Sequence, residues 1–141
     1  MKPDIAYPKL ETARLVLRAL HMDDADFIFK EWSDPTVTFF MRDEEPLQTR
    51  EQAEEFLRSF QTPENNPSSK WWGIERKADG HLIGTCGYFR WGWQHHRAEI
   101  GYDLCPDDWG QGLMPEALRA LVRYGFEEMD LNRIEATVFV N

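Results

Sequence analysis

Gly110 and Gly112 stand two residues apart in the stretch YDLCPDDWGQGLMPEA, Tyr102 to Ala117, between an alternating pattern and a helical one. A strand, a glycine-rich turn and a helix N-terminus together form an anion cradle. The first-turn amides have no intrahelical acceptors, and the helix dipole adds about half a positive charge there. A phosphate or pyrophosphate is favoured at such a place without any lysine. Gly-x-Gly is equally the mark of a tight strand-to-helix turn, and the carboxylates of Asp107 and Asp108 oppose a bound anion unless they point to solvent. His95 and His96 are adjacent in a loop with no third ligand at a fixed spacing, so they read as solvated and no metal is assigned. Trp91 and Trp93 flank Gly92 beside these histidines and either line an acceptor pocket or pack. Trp71 and Trp72 put one ring in and one ring out.

The elements that must position this segment follow from periodicity. Residues 12–20 (TARLVLRAL) alternate as a strand, with Ala13, Leu15, Leu17 and Ala19 on one face. Ala25, Ile28, Phe29 and Trp32 then form a helical stripe, capped by Asp23 or Asp24 and ended at Asp34-Pro35. Residues 35–48 read as irregular. A second helix carries Ala53, Phe56, Leu57 and Phe60, with Thr49 and Gln52 at capping-box spacing. After the loop 62–69, strands over 70–77 and 82–89 are joined by an Asp79-Gly80 hairpin turn. Residues 97–104 alternate, with Ala98, Ile100, Tyr102 and Leu104 on one face and Arg97, Glu99, Gly101 and Asp103 on the other. Met114, Ala117, Leu118, Leu121, Val122, Gly125 and Met129 define a long helix, and 133–140 reads as a buried strand. The order predicts an α+β fold in a single domain, 1–141.

The 141 residues carry 16 Lys and Arg against 25 Asp and Glu, a formal charge of −9. No basic stripe stands out, so nucleic acid is not an expected partner. No apolar run reaches the roughly 18 residues a membrane span needs, and the start lacks a signal-peptide pattern, so a cytoplasmic protein with no membrane partner is expected. Cys86 and Cys105 lie on different predicted strands and fit buried thiols better than a disulfide. The acidic balance mildly favours a cationic substrate.

Trp109, Gly110, Gly112, Glu116 and Ala117 form the pattern Trp-Gly-x-Gly-x-x-x-Glu-Ala. It resembles the acetyl-CoA pyrophosphate loop of the GNAT N-acetyltransferases, in the Rim-type branch that contains the ribosomal-protein N-terminal acetyltransferases. Leu10-Glu11-Thr12 with Arg14-Leu15 and Leu17-Arg18, Leu82-Ile83-Gly84, Ala98-Glu99-Ile100-Gly101-Tyr102, and Asn141 agree in order, so the resemblance spans nearly the whole chain. It implies a mixed, mostly antiparallel sheet flanked by helices, with acetyl-CoA as co-substrate and no metal.

The resemblance further implies a bulge near Gly101, where Gly101 and Tyr102 offer main-chain groups to the pantetheine and an amide stabilises the oxyanion. Trp109, Gly110, Gln111, Gly112, Leu113 and Met114 would form the loop that holds the pyrophosphate. Arg119 would reach a CoA phosphate. Glu99 would be the general base, although a strand carboxylate paired with Arg97 or a neighbouring strand is the plain alternative. Asn141 would hydrogen-bond the pantetheine or an acceptor-side water. Met114 is bulkier than usual, so its side chain must turn away from the cofactor. Family members continue past the asparagine with a Ser-containing helix and further strands. Here the chain stops at Asn141, which leaves the general acid unassigned and a fragment, an incomplete fold or a covering second protomer, as in a homodimer, all open. The implied activity is acetyl transfer to a primary amine, either a protein N-terminus or a small molecule. The alternative is a non-catalytic acyl-CoA-binding or assembly module.

Overall fold

The structure is a computed structural model that describes residues 8–38, 46–61, 69–92 and 94–136. Among these, six strands form one sheet in the order β1 (Leu10–Glu11), β2 (Leu15–Ala19), β3 (Lys70–Arg76), β4 (Leu82–Gly92), β5 (Arg97–Leu104) and β6 (Arg133–Ala136). Neighbours are antiparallel except β5 and β6, which run parallel. Parallel neighbours require a crossover, and α4 (Leu113–Glu128) supplies it. Three further helices, α1 (Ala25–Trp32), α2 (Pro35–Thr38) and α3 (Arg50–Gln61), lie between β2 and β3 in sequence. The expected α+β sheet, mostly antiparallel and flanked by helices, is what forms.

Both faces of the sheet are covered. Leu15, Leu17, Trp72, Ile74, Tyr88, Ala98, Ile100 and Leu104 pack under Leu113, Ala117, Leu121 and Tyr124 of α4. A second cluster joins Ala25, Ile28 and Trp32 of α1 to Ala53 and Leu57 of α3, with Trp71 and Leu82 of the sheet against it. The two adjacent tryptophans thus each face a covered side: Trp72 is fully buried under α4, and half-buried Trp71 meets Phe89 with ring centroids 6.5 Å apart. Trp91 is buried in the α4-side core, so it packs; Trp93 lies outside the described residues. Lys70, 1% exposed, sets its ammonium 5.1 Å from the Tyr124 ring centroid and so joins sheet to helix by a cation–π contact.

Local signals act as expected in several places. Gln52 and Thr49 form the capping box: Thr49 Oγ1 accepts from the Gln52 amide, and Gln52 Oε1 accepts from the Thr49 amide at 3.2 Å. Elsewhere the structure differs. The stretch read as irregular contains the short helix α2, and an unforeseen strand, β1, pairs Leu10 with Leu17. The last strand is not of the buried type over its described part, since Arg133 and Ala136 are exposed and residues 137–140 lie outside the described ones.

The closeness of α4 to the sheet makes one substitution diagnostic. At Gly125 a Cβ would overlap Tyr88 Oη and lie 2.9 Å from its Cζ, while the Tyr88 hydroxyl donates to the Leu121 carbonyl at 2.6 Å. Alanine gains about 1 kcal/mol of helix propensity over glycine. Overpacking costs about 1–3 kcal/mol, and the displaced buried hydroxyl costs about as much again. Gly125→Ala therefore lowers the midpoint of thermal unfolding by several degrees; an unchanged or raised midpoint would refute the tight helix–sheet contact.

Candidate active site

Strand β5 ends at Leu104 and passes through a 3-10 turn, Pro106–Asp108, into the loop before α4. Trp109 pins this loop, for its indole Nε1 donates to the Leu104 carbonyl at 2.8 Å while the ring stays half exposed. Gly110 and Gly112 have φ of +76° and +77°, a left-handed conformation that costs other residues roughly 1–2 kcal/mol. Around Gly110 a Cβ would find nothing within 4 Å, so the backbone there borders open space. The amides of Gly112, Leu113 and Met114 precede the first intrahelical bond, from Glu116 N to Gly112 O at 3.3 Å. These residues fit an anionic group.

Asp108 does not point to solvent, contrary to one expectation. It is 7% exposed, and its carboxylate pairs with Arg76, which also binds Asp79 at 2.6 Å. Its charge is thereby offset at the loop. Asp107 is exposed, and its carbonyl accepts from the Gln111 side chain at 3.4 Å. Leu113 is buried, so it serves the core with its side chain and the loop with its amide. Met114 packs against the α4-side core, as its bulk requires. Arg119 is exposed, two turns of α4 from the loop at most.

Glu99 and Gly101 share the face of β5 that looks toward α1 and α3, and half-exposed Tyr102 lies on the opposite face. The Glu99 side chain is 14% exposed and pairs with Arg90, not Arg97, at 2.9 Å. Arg90 sits at φ +50° in an irregularity of β4. The bulge expected near Gly101 is in fact here: the β4–β5 register runs unbroken from Gly84/Leu104 to Phe89/Glu99 and shifts only between Phe89 and Gly92. Gly101 has another reason for its missing side chain, since a Cβ there would lie 2.8 Å from Trp71 Cη2. The ring of Trp71 covers that backbone.

Strand β6 pairs with β5 only from Arg97 to Ile100, so Gly101 to Leu104 lie beside no described strand on that edge. The carboxylate of Glu99 and the loop after Leu104 are thus joined by roughly 17 Å of extended strand at about 3.3 Å per residue. Asn141 lies outside the described residues. His96 turns out structural: its ring lies 2.9 Å from the Asp130 carbonyl and its own carbonyl accepts from the Asn132 amide at 2.7 Å. Among the described residues no group of three His, Cys, Asp or Glu could hold a metal ion, and no helix is long and apolar enough to cross a membrane. Cys86 and Cys105 are free thiols, and burial pushes both up from the ordinary thiol range.

Three residues matter here that spacing did not single out as a group. Glu116 Oε2 accepts from Thr12 Oγ1 at 2.5 Å and from the Arg14 amide at 2.9 Å, while Oε1 accepts from Arg14 Nε at 2.8 Å. Arg14 Nη1 also donates to the Gln111 carbonyl at 3.0 Å. The Thr12 hydroxyl, followed by the Arg14 donors, holds the Glu116 carboxyl down at about 2. The contacts join residues about a hundred positions apart, and no local pattern carries them.

The sequence pattern of the family described as Acetyltransferase (GNAT) domain matches residues 14–141. The uncharacterized N-acetyltransferase YoaA of Bacillus subtilis (strain 168) is 38% identical over 135 residues, 96% of this chain and 76% of that protein. Two solved structures share the fold. An acetyltransferase (GNAT family) from Bacillus anthracis gives a TM-score of 0.75 at 25% identity, over 92% of this chain and 72% of that one. The spermidine N-acetyltransferase from Vibrio cholerae, solved in complex with CoA and spermine, gives 0.79 at 22% identity, over 90% and 72%.

Proposed function

Because the chain belongs to the GNAT acetyltransferase family, we propose that it transfers acetyl from acetyl-CoA to a primary amine by direct attack of the amine on the thioester. The observation that supports this reading is the Trp109–Met114 loop, where Gly110 and Gly112 are left-handed, the backbone at Gly110 borders open space, and the amides of Gly112, Leu113 and Met114 precede the first intrahelical bond of α4. There Gly112, Leu113 and Met114 would hold the pyrophosphate through their amides, with Arg119 at the phosphate rim. The edge of β5 from Gly101 to Leu104 would carry the extended arm, with Gly101 and Tyr102 as main-chain partners. Acetyl-CoA supplies the activated acyl group.

The chain's own residues then have one task, the proton. Free amines titrate at about 8 for an α-amino group and 10.4 for lysine, so the acceptor arrives mostly protonated. Glu99 takes that proton, directly or through a water, and the lone pair so freed on the nitrogen then bonds to the carbonyl carbon. As the C–S bond breaks, the nitrogen of the tetrahedral intermediate gives up its second proton and the departing thiolate takes one up, so the products are the amide and free CoA thiol. A main-chain N–H of β5 beyond Ile100 stabilises the oxyanion. The acceptor is a protein N-terminus or a small polyamine; the −9 charge speeds encounter with the cationic one. The setting is cytoplasmic, where Cys86 and Cys105 stay reduced.

Two measurements test the reading together. Acetyl-CoA at a hundred times its Kd should stabilise the fold by about 2.7 kcal/mol. Thiol release should then appear with an amine panel spanning peptides with free N-termini and spermidine. No stabilisation would reduce the loop to a turn, and stabilisation without thiol release under any amine would leave a binding module.

A further inference from the structure

We propose that Thr12, Arg14 and Glu116 are positioning residues that brace the pyrophosphate loop from the opposite end of the chain. The ligand in this inference rests on the acetyl-CoA reading above; the brace itself rests on side-chain geometry. Glycines at 110 and 112 give the loop more backbone freedom than side-chain-bearing residues would, so amides that are to meet a ligand need an outside tie. The turn between β1 and β2 provides one at both ends of the segment 111–116. Arg14 holds the Gln111 carbonyl on one side and the Glu116 carboxylate on the other.

The tie is itself anchored. The Thr12 amide donates to the Leu15 carbonyl at 2.9 Å, the Leu15 amide returns a bond to Thr12 Oγ1 at 3.0 Å, and Lys77 Nζ donates to the Thr12 carbonyl at 2.7 Å. A second effect is electrostatic. A carboxylate in the first turn of α4 would repel a bound diphosphate, but three donors from one turn absorb its charge. Arg14 has its Nη2 3.6 Å from where a Gly112 Cβ would stand, which keeps the guanidinium beside the loop.

The test compares Glu116→Gln, Thr12→Val and Thr12→Ser with the wild-type chain by amide hydrogen exchange without ligand and by acetyl-CoA titration. In Glu116→Gln the amides of residues 116–118 should exchange at least tenfold faster while those of β3 and β4 keep their rates. The Kd for acetyl-CoA and for dephospho-CoA, which retains the pyrophosphate, should rise together about tenfold, the size expected for one charge-assisted hydrogen bond. Thr12→Val should follow the same pattern more weakly, and Thr12→Ser should restore wild-type behaviour. Unchanged exchange at 116–118, or faster exchange spread evenly over the sheet, would overturn the brace. Wild-type protein that binds no acetyl-CoA would instead refute the activity proposed above, and the exchange rates would still decide the brace.

Discussion

Replacing Glu31 with glutamine is expected to remove most of the loss of stability that the wild-type chain suffers as pH rises from 5 to 9. Glu31 of α1 is 4% exposed and Asp103 of β5 is 5% exposed, and they meet between helix and sheet beside Trp32 and Cys105. Thr85 Oγ1 donates to Asp103 Oδ1, while among the described residues Glu31 Oε2 and Asp103 Oδ2 lack a hydrogen-bond partner of good geometry. Two ionised carboxylates cannot satisfy each other; one shared proton lets them. Burial foremost, then the neighbouring Asp103, pushes Glu31 up to about 9, and burial raises Asp103 in the same direction.

The sign follows from proton counting. Between the ordinary carboxylate range and about 9 the folded chain binds more protons than the unfolded one, so stability is full below that window and declines through it. The slope reaches at most about 1.4 kcal/mol per pH unit for one proton. Glu116 and Asp79, both held down at about 2, act oppositely: their contribution is present above the ordinary carboxylate range and is lost as pH falls toward 2. The two windows do not overlap, which places maximal stability at mildly acidic pH. Urea melts from pH 5 to 9 should show the wild type losing ground and Glu31→Gln staying nearly level, with the variant the more stable at pH 9. Asp103→Asn should flatten the curve as well. Parallel curves for wild type and Glu31→Gln would mean that the pair holds no proton.

The burial of Glu31 leaves no mark in the local sequence pattern. Glu31 lies three residues after Ile28, on the buried stripe of α1, yet a carboxylate there reads as the helix edge. Asp103 lies on the face of β5 with Arg97, Glu99 and Gly101, which alternation marks as polar and therefore wet. That inference assumes a sheet with one covered face, and here α1 and α3 cover the second. Where the signal is local, it served well: the 97–104 alternation and the α4 stripe both match the observed elements within a residue. A glycine inside a strand signals a bulge or a close approach, and at Gly101 it is the Trp71 ring that comes close, from β3, thirty residues away. Asp108 likewise answers a distant partner, since Arg76 reaches it from β3. Side chains that answer a distant partner leave no period behind.

Glu99→Gln should lower turnover by about 10²–10⁴-fold, the usual contribution of a positioned general base, while the Kd for acetyl-CoA stays within about twofold. Glutamine keeps the volume of the side chain and can still accept a hydrogen bond from Arg90, so packing on β5 is preserved; only the capacity to take up a proton is lost. The rival account makes Glu99 merely the partner of Arg90. Arg90 is 57% exposed, and ion pairs of that kind contribute about 0–1 kcal/mol. A hundredfold loss requires about 2.7 kcal/mol, more than such a pair supplies. The discriminating variant is therefore Arg90→Ala, which breaks the pair and leaves the carboxylate. If Glu99 takes the proton, Arg90→Ala retains at least about a tenth of wild-type turnover, within the reach of a surface ion pair. If both substitutions cost the same, the carboxylate acts only through the arginine, and the proton must leave the amine by another route.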